Sequence, residues 1–186
     1  MRTSGSGAAT RPHPTRLHEE NDIEMSITVR PIQPEDQEFL CRLYASTREE
    51  ELAQVPWSRE EKDAFLRQQF TAQHAYYQEH YADADFRLIL REGIPIGRLY
   101  LARWPEEIRI VDIALLPEHR GGGLGTALLQ GILAEADMAG KPVRIHVEVF
   151  NPARRLYERL GFTQIADRGV YLFLGRPPVA QVKTAS

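Results

Sequence analysis

The chain contains a single cysteine among its 186 residues, which excludes an internal disulfide and a cysteine-rich metal site. That residue, Cys41, lies in an apolar helical pattern, so we expect a buried, unreactive thiol. No run of eighteen apolar residues occurs, so we expect no membrane-spanning helix. There is no basic surplus either: 23 Lys and Arg face 26 Asp and Glu, for a net charge of −3. These absences predict a cytoplasmic protein that binds neither a membrane nor nucleic acid.

What remains is the composition of one globular domain, with 42% hydrophobic and 26% charged residues. The segment 1–24 differs, because it is rich in Ser, Gly, Pro and Arg and poor in large apolar residues, which predicts a disordered tail. Met25 directly precedes the first strand-like run, which leaves open whether that segment belongs to the native protein. We predict a domain over residues 25–176, followed by a C-terminal tail at 177–186.

Hydrophobic periodicity and turn signals predict the order strand, two helices, three strands, helix, strand, helix, two strands. This order indicates a mixed α/β domain with a largely antiparallel first half. The strand at 107–116 is almost continuously apolar, which predicts burial on both of its faces. The predicted strands are 26–33, 86–90, 94–102, 107–116, 143–150, 162–166 and 170–174. The first two predicted helices begin at Pro34 and after Ser58, and the last two span 124–139 and 153–160.

A glycine-rich loop within residues 115–126 (LLPEHRGGGLGT) joins the apolar strand to an amphipathic helix. Glycines allow positive φ and a close approach of the backbone to a ligand. The N–H groups of such a loop and of the following helix start together form an anion site. Ordering four glycines costs conformational entropy, and a simple connector would not require so many of them. We therefore interpret the loop as a phosphate site.

Two common phosphate loops do not fit this spacing. A Walker loop needs lysine followed by Ser or Thr after its last glycine, and here Gly125 is followed directly by Thr126. The dinucleotide fingerprint needs a third Gly or Ala, and the two possible registers place Thr126 or Leu128 there. Nucleoside triphosphate hydrolysis and dinucleotide binding are therefore not expected.

The spacing that fits is Arg-x-x-Gly-x-Gly, at Arg120, Gly123 and Gly125. Together with Asn-Pro-Ala at 151–153 and Leu-Tyr-Glu-Arg-Leu-Gly-Phe at 156–162, this motif resembles the GNAT superfamily of N-acetyltransferases.

The resemblance extends over residues 26–175, since the order of elements matches as well. It implies a central mixed, mainly antiparallel sheet of six to seven strands, flanked by about four helices and splayed at the coenzyme A site. It also implies an enzyme that transfers an acetyl group from acetyl-CoA, its co-substrate, to a primary amine of a small molecule or peptide by direct attack, without a metal.

The resemblance also implies where coenzyme A binds. In this superfamily the pantetheine arm lies between the strand before the loop and the next strand, which here points to the backbone groups of Ile113 and Leu115. The pyrophosphate would lie on the amides of the loop and helix start: Arg120, Gly121, Gly122, Gly123, Leu124, Gly125 and Thr126. Family members often bond pantetheine through an asparagine at the position of Asn151, although a role as N-cap of the short helix would by itself explain this residue.

The resemblance implies that Tyr157 protonates the departing thiolate of coenzyme A. Read from the residues alone, core packing beside Leu156 and Leu160 is the preferred explanation of Tyr157, and the resemblance favours the acid role instead. Both interpretations stay open at this stage.

Acyl transfer to an amine also needs a base. Asp112 is the first candidate, because burial in the apolar strand would suit its carboxylate to accept a proton. Strand alternation predicts that it shares a face with Ile108, Ile110 and Ala114. The alternative is a structural ion pair with Arg98 or Arg109.

Glu148 is the second candidate base. Alternation places it on the same face as Arg144 and His146, where it would otherwise be solvated or bonded across strands. Arg48 and Glu51 are candidates for the acceptor side of the site.

The acceptor itself is not identified by the sequence. An acidic rim would attract a cationic amine, and peptide N-termini, lysine side chains, polyamines and aminoglycosides remain possible. The alternative function is a catalytically silent acyl-CoA-binding or regulatory module. A homodimer is possible through the last hairpin.

Overall fold

The computed structural model describes residues 27–180. The predicted tail at 1–24 and the first residue of the predicted first strand lie outside this range, as does most of the predicted C-terminal tail. The strands are β1 (Ile27–Pro31), β2 (Asp85–Arg91), β3 (Ile94–Arg103), β4 (Ile108–Leu115), β5 (Val143–Glu148), β6 (Thr163–Asp167) and β7 (Tyr171–Arg176). The α-helices are α1 (Gln37–Ala53), α2 (Arg59–His80), α3 (Leu124–Ala139) and α4 (Arg154–Arg159).

All of these strands form one sheet, in the order β1-β2-β3-β4-β5-β7-β6. Every neighbouring pair is antiparallel except β4 and β5. The predicted fold class is therefore confirmed: a mixed, mainly antiparallel sheet of seven strands with four α-helices.

Local sequence signals explain several of the element ends. Ser58 and Glu61 form a capping box at the start of α2, which begins after Ser58 as predicted. Glu92 and Gly93 both have positive φ, which suits the tight turn of the β2–β3 hairpin. Gly140 ends α3 in the left-handed conformation, as its position after the apolar stripe predicts.

The helices cover the sheet from both sides. On one face, α3 and α4 pack on the larger hydrophobic core, to which β4 and β5 contribute buried residues such as Ile110 and Ile145. On the other face, α1 and α2 form a second cluster with β2, in which Leu40, Phe70 and Leu88 are buried. Cys41 belongs to this second cluster, so the predicted burial of its thiol is confirmed.

The parallel pair β4–β5 is short. The strands are paired only from Ile108 to Ile110 on β4 and from Val143 to Ile145 on β5. Beyond these residues β4 continues to pair with β3 alone, while β5 continues to pair with β7. The two strands therefore separate within the sheet, which confirms the splay that the resemblance implied.

A β-bulge on β4 changes which face its later residues occupy. Leu101 lies opposite Ile110, but the next residue back along β3, Tyr100, lies opposite Asp112, so Val111 is the extra residue. The prediction that Asp112 shares a face with Ile108 and Ile110 was therefore wrong. Asp112 and Ala114 lie on the α1–α2 face, whereas the two isoleucines lie in the core under α3.

The expectation that β4 is buried on both faces also holds only in part. Ile108, Ile110 and Leu115 are buried, but the residues from 111 to 114 are half-buried. They are half-buried because they border the gap left by the splay.

Candidate active site

A cavity of about 490 Å³ lies where β4 and β5 separate. Its walls come from β4, β5, α4, the glycine loop and the two N-terminal helices. The wall residues include Tyr44, Arg48, Glu51, Tyr77, Arg98, Asp112, Ile113, Leu115, Arg120, Gly125, Glu148, Asn151, Tyr157 and Tyr171.

The glycine loop presents free amides next to this cavity. Gly121 and Gly123 have φ of 76° and 82°, a region that favours glycine. Within residues 27–180, the N–H groups from Gly121 to Thr126 donate to no protein acceptor, and the first backbone bond of α3 joins the amide of Ala127 to the carbonyl of Gly123. The amide of Arg120, predicted to belong to this group, instead donates to the carbonyl of Pro117 at 3.1 Å. A Cβ at Gly122 or Gly125 would meet no atom within 4 Å, so there is space for a ligand against the backbone. This arrangement has the properties of an anion site.

The backbone of β4 also presents polar groups to the gap. The amide of Leu116 donates to the carbonyl of Ile96 at 2.9 Å, so Leu115 and Ile113 occupy the alternate positions, whose N–H and C=O groups point away from β3. Because β5 has diverged, no strand of the described chain pairs with them on that side. One of these groups is used within the protein: Nε of Arg120 donates to the carbonyl of Leu115 at 2.8 Å.

Tyr157 on α4 is 4% exposed and lies on the cavity wall. It packs edge-on against Phe162, so the packing role allowed by the sequence is present. Burial raises the pKa of the Tyr157 phenol, and the nearby charge of Asp112 raises it further. The hydroxyl is therefore protonated at neutral pH and can donate a proton into the cavity.

Asp112 takes part in a largely buried network on the α1–α2 side. Its Oδ2 accepts hydrogen bonds from Nη2 of Arg98 at 2.8 Å and from the hydroxyl of Tyr77 at 3.0 Å. Arg98 is 3% exposed, and its other Nη2 partner is Gln73 on α2. Burial alone would lower the pKa of Arg98, but attraction to Asp112, the hydrogen bond to that carboxylate and the neighbouring Tyr100 and Tyr77 together raise this pKa. Of the two arginines considered from the sequence, Arg98 is the partner of Asp112.

Glu148, the last residue of β5, has a partner that the sequence did not suggest. Its Oε1 accepts a hydrogen bond from Nη2 of Arg48 at 2.8 Å, from the α1 side of the cavity. Arg48 also donates to Glu51 at 3.1 Å. Arg48 and Glu51, the sequence candidates for the acceptor side, both line the cavity, and Glu148 is bonded to a helix and not across strands.

Asn151 does not cap α4 directly, because the residue at the N-cap position is Ala153. Instead Oδ1 of Asn151 accepts the backbone N–H of Ala153 at 2.8 Å and stabilises the turn before the helix. The sequence offered a helix role and a ligand role for this side chain, and the structure leaves room for both. Within residues 27–180 only Oδ1 is used, so the two donors of Nδ2 stay available toward the cavity.

Sequence reasoning missed Tyr44 and Tyr171 as wall residues. No spacing rule relates a residue of one element to a distant strand or helix that it meets in space. Among residues 27–180, no group of three His, Cys, Asp or Glu side chains is arranged to hold a metal ion. No helix in that range is both long and apolar enough to cross a bilayer.

The model of the acetyltransferase (GNAT) family matches residues 40–162 of the chain. The chain belongs to this family. It is accordingly a GNAT N-acetyltransferase, an enzyme of the acyltransferase class, and the family uses acetyl-CoA. The matched range includes β4, the glycine loop, α3, β5 and α4, which together form the splay and most of the cavity.

Solved structures show the same fold. The PaiA N-acetyltransferase from Thermoplasma acidophilum, determined in complex with coenzyme A, has a TM-score of 0.63 and 19% identity, over 82% of this chain and 99% of that one. An acetyltransferase from Thermus thermophilus has a TM-score of 0.59 and 21% identity, over 82% and 97%. The ribosomal-protein-S18-alanine N-acetyltransferase from Escherichia coli has a TM-score of 0.53 and 18% identity, over 87% and 100%.

Proposed function

We propose that this GNAT enzyme transfers the acetyl group of acetyl-CoA to a primary amine of a small molecule or peptide by direct attack, within the cavity between β4 and β5. One observation carries the proposal. The splay brings together free loop amides, the backbone groups of Ile113 and Leu115 that no strand pairs, and the protonated hydroxyl of Tyr157. The anion site and the open sheet edge suit the binding of coenzyme A, and the proton donor suits the departure of its thiolate.

The residues present fit coenzyme A. The free amides from Gly121 to Thr126 would bind the pyrophosphate, and fixed N–H dipoles can hold that charge without a metal ion. The amides of pantetheine would complete the sheet edge at Ile113 and Leu115. Leu115 would contribute its N–H group only, because its carbonyl is bonded to Arg120. The Nδ2 group of Asn151 would be a further donor to pantetheine.

Tyr157 would act as the acid. Bound coenzyme A supplies an activated acetyl thioester, whose sulfur is a poor leaving group unless it is protonated. Burial keeps the proton on Oη of Tyr157, and this proton would be delivered to the sulfur.

For the base, the contacts favour Glu148 over Asp112. Oδ2 of Asp112 already binds both Arg98 and Tyr77, which suits it to hold β3, β4 and α2 together. Glu148 is half-exposed at the cavity, with a side-chain exposure of 40%, and its ion-pair partner Arg48 has a second carboxylate available. Glu148 would therefore accept the proton of the amine, directly or through water.

A thiol-release assay with acetyl-CoA and a panel of amines tests the proposal. The panel should contain alkylamines, polyamines, aminoglycosides and peptides with free N-termini. We expect thiol release that depends on at least one amine and an acetylated product with the mass of that amine plus one acetyl group. Binding of acetyl-CoA without turnover on any amine would support the silent-module alternative instead.

A further inference from the structure

Arg48 joins the two walls of the cavity. It extends from the C-terminal half of α1, and Nη2 binds Oε1 of Glu148 at the end of β5, a residue 100 positions away in sequence. Its side chain is 26% exposed. A positive group is thus held at the carboxylate that would act as the base in the proposed reaction.

The surroundings of this guanidinium are those of a cation site. Glu148 and Glu51 supply carboxylates at 2.8 Å and 3.1 Å. The guanidinium carbon of Arg48 lies 5.8 Å from the ring centroid of Tyr44. Tyr171 lies directly opposite Glu148 in the β5–β7 register and also lines the cavity. Carboxylates combined with aromatic faces recognise alkylammonium groups as well as guanidinium groups.

Arg48 can leave Glu148 without losing every partner. Glu51 is one turn further along α1, and its side chain is 68% exposed. An arginine that swings toward Glu51 moves outward, toward solvent. Since partly exposed ion pairs contribute little to stability, the exchange of one cation for another at Glu148 has a small energetic cost.

We propose that Arg48 occupies the position of the acceptor's ammonium group, and that a cationic alkylamine displaces it from Glu148 while Arg48 stays paired with Glu51. The inference rests on the proposed function and specifies its acceptor class. It predicts that Arg48 competes with the acceptor. A carboxylate on the acceptor is not required for binding.

Arg48→Gln tests this competition. Binding of n-butylamine and of γ-aminobutyrate, the matched amine with a carboxylate, is measured by NMR titration of the coenzyme A complex. We expect the variant to bind n-butylamine about threefold more tightly, which corresponds to the loss of one partly exposed competing ion pair. Weaker or unchanged binding of n-butylamine would overturn the proposal. Weaker binding of γ-aminobutyrate alone would show instead that Arg48 receives an acceptor carboxylate.

Two further variants complete the test. Arg67→Gln removes an exposed ion pair with Glu38 between α1 and α2, outside the cavity, and should leave both affinities unchanged. Glu51→Gln should weaken n-butylamine binding, because Arg48 then depends on Glu148 alone, and this effect should vanish when combined with Arg48→Gln. An equal effect in both backgrounds would mean that Glu51 attracts the amine itself, which contradicts the exchange.

These titrations need no turnover, so they separate the two proposals. If Arg48→Gln tightens n-butylamine binding but no amine gives thiol release, the proposed acetyl transfer is refuted and the proposed exchange at Glu148 is supported. If thiol release occurs and the affinity for n-butylamine does not improve, only the proposed exchange is refuted.

Discussion

Ile110 and Asp112 are two residues apart on β4, yet they lie on opposite faces of the sheet. In a regular strand they would share a face, and Asp112 would be buried in the core under α3. The extra residue Val111 instead turns Asp112 to the α1–α2 face, where it binds Tyr77 of α2 and Arg98 of β3. The bulge lies directly beyond Ile110, the last residue of β4 that pairs with β5. The end of the β4–β5 pairing and the change in the direction of the Asp112 carboxylate therefore coincide along the strand.

The two candidate bases should respond differently to neutralisation. We expect Glu148→Gln to lower kcat with little effect on stability, because the residue is half-exposed at the cavity. We expect Asp112→Asn to lower the free energy of unfolding, by about 1–3 kcal/mol, because it weakens a largely buried ion pair. Urea unfolding and thiol release measured on both variants decide the assignment, and the reverse pattern would make Asp112 the base.

Removal of the Tyr157 hydroxyl should slow the reaction without loss of coenzyme A binding. Tyr157→Phe keeps the contact with Phe162 but removes the proton donor. We expect kcat to fall about a hundredfold, the range for loss of a general acid. Calorimetric titration with coenzyme A should give an unchanged affinity. An unchanged kcat would assign Tyr157 to packing alone.

Gly123 and Gly131 provide a matched pair of glycine substitutions. Gly123 has a φ of 82°, so Gly123→Ala should cost roughly 1–2 kcal/mol of stability and weaken coenzyme A binding by distorting the loop. Gly131 lies inside α3, and a Cβ added there would meet no atom within 4 Å, so Gly131→Ala should stabilise by about 0.5–1 kcal/mol. Equal losses of coenzyme A affinity in both variants would argue against the loop as the anion site.

The ion pair of Asp137 on α3 with Arg176 on β7 predicts a pH dependence. Hydrogen bonding to Arg176 holds the pKa of Asp137 below its ordinary value of 3.8. The unfolded state therefore binds the proton more readily, and the stabilisation is complete above pH ~4 and lost as the pH falls through the lower, folded-state pKa. The difference in free energy of unfolding between the wild type and Asp137→Asn should shrink as the pH is lowered from about 6 to below about 3. A pH-independent difference would contradict the assignment.

The sequence by itself determined the element order, the fold class and the position of the loop. These are local properties: hydrophobic periodicity, the capping box at Ser58 and the glycines that end or open elements are read within a few residues of each other. The bounds of α3 agree with the prediction at both ends, since its amphipathic stripe is bracketed by Gly123 and Gly140.

The tertiary structure alone decided the face of Asp112 and the partners of Glu148. A bulge shifts the alternation of polar and apolar residues along a strand. In a strand whose residues are mostly apolar this shift is not visible, so the sequence could not show that Val111 is an extra residue. The pair of Arg48 with Glu148 joins residues 100 positions apart, and it exists only because α1 packs across the splayed end of the sheet. Side chains from distant segments meet through packing of whole elements, and no local spacing specifies which charges then face each other.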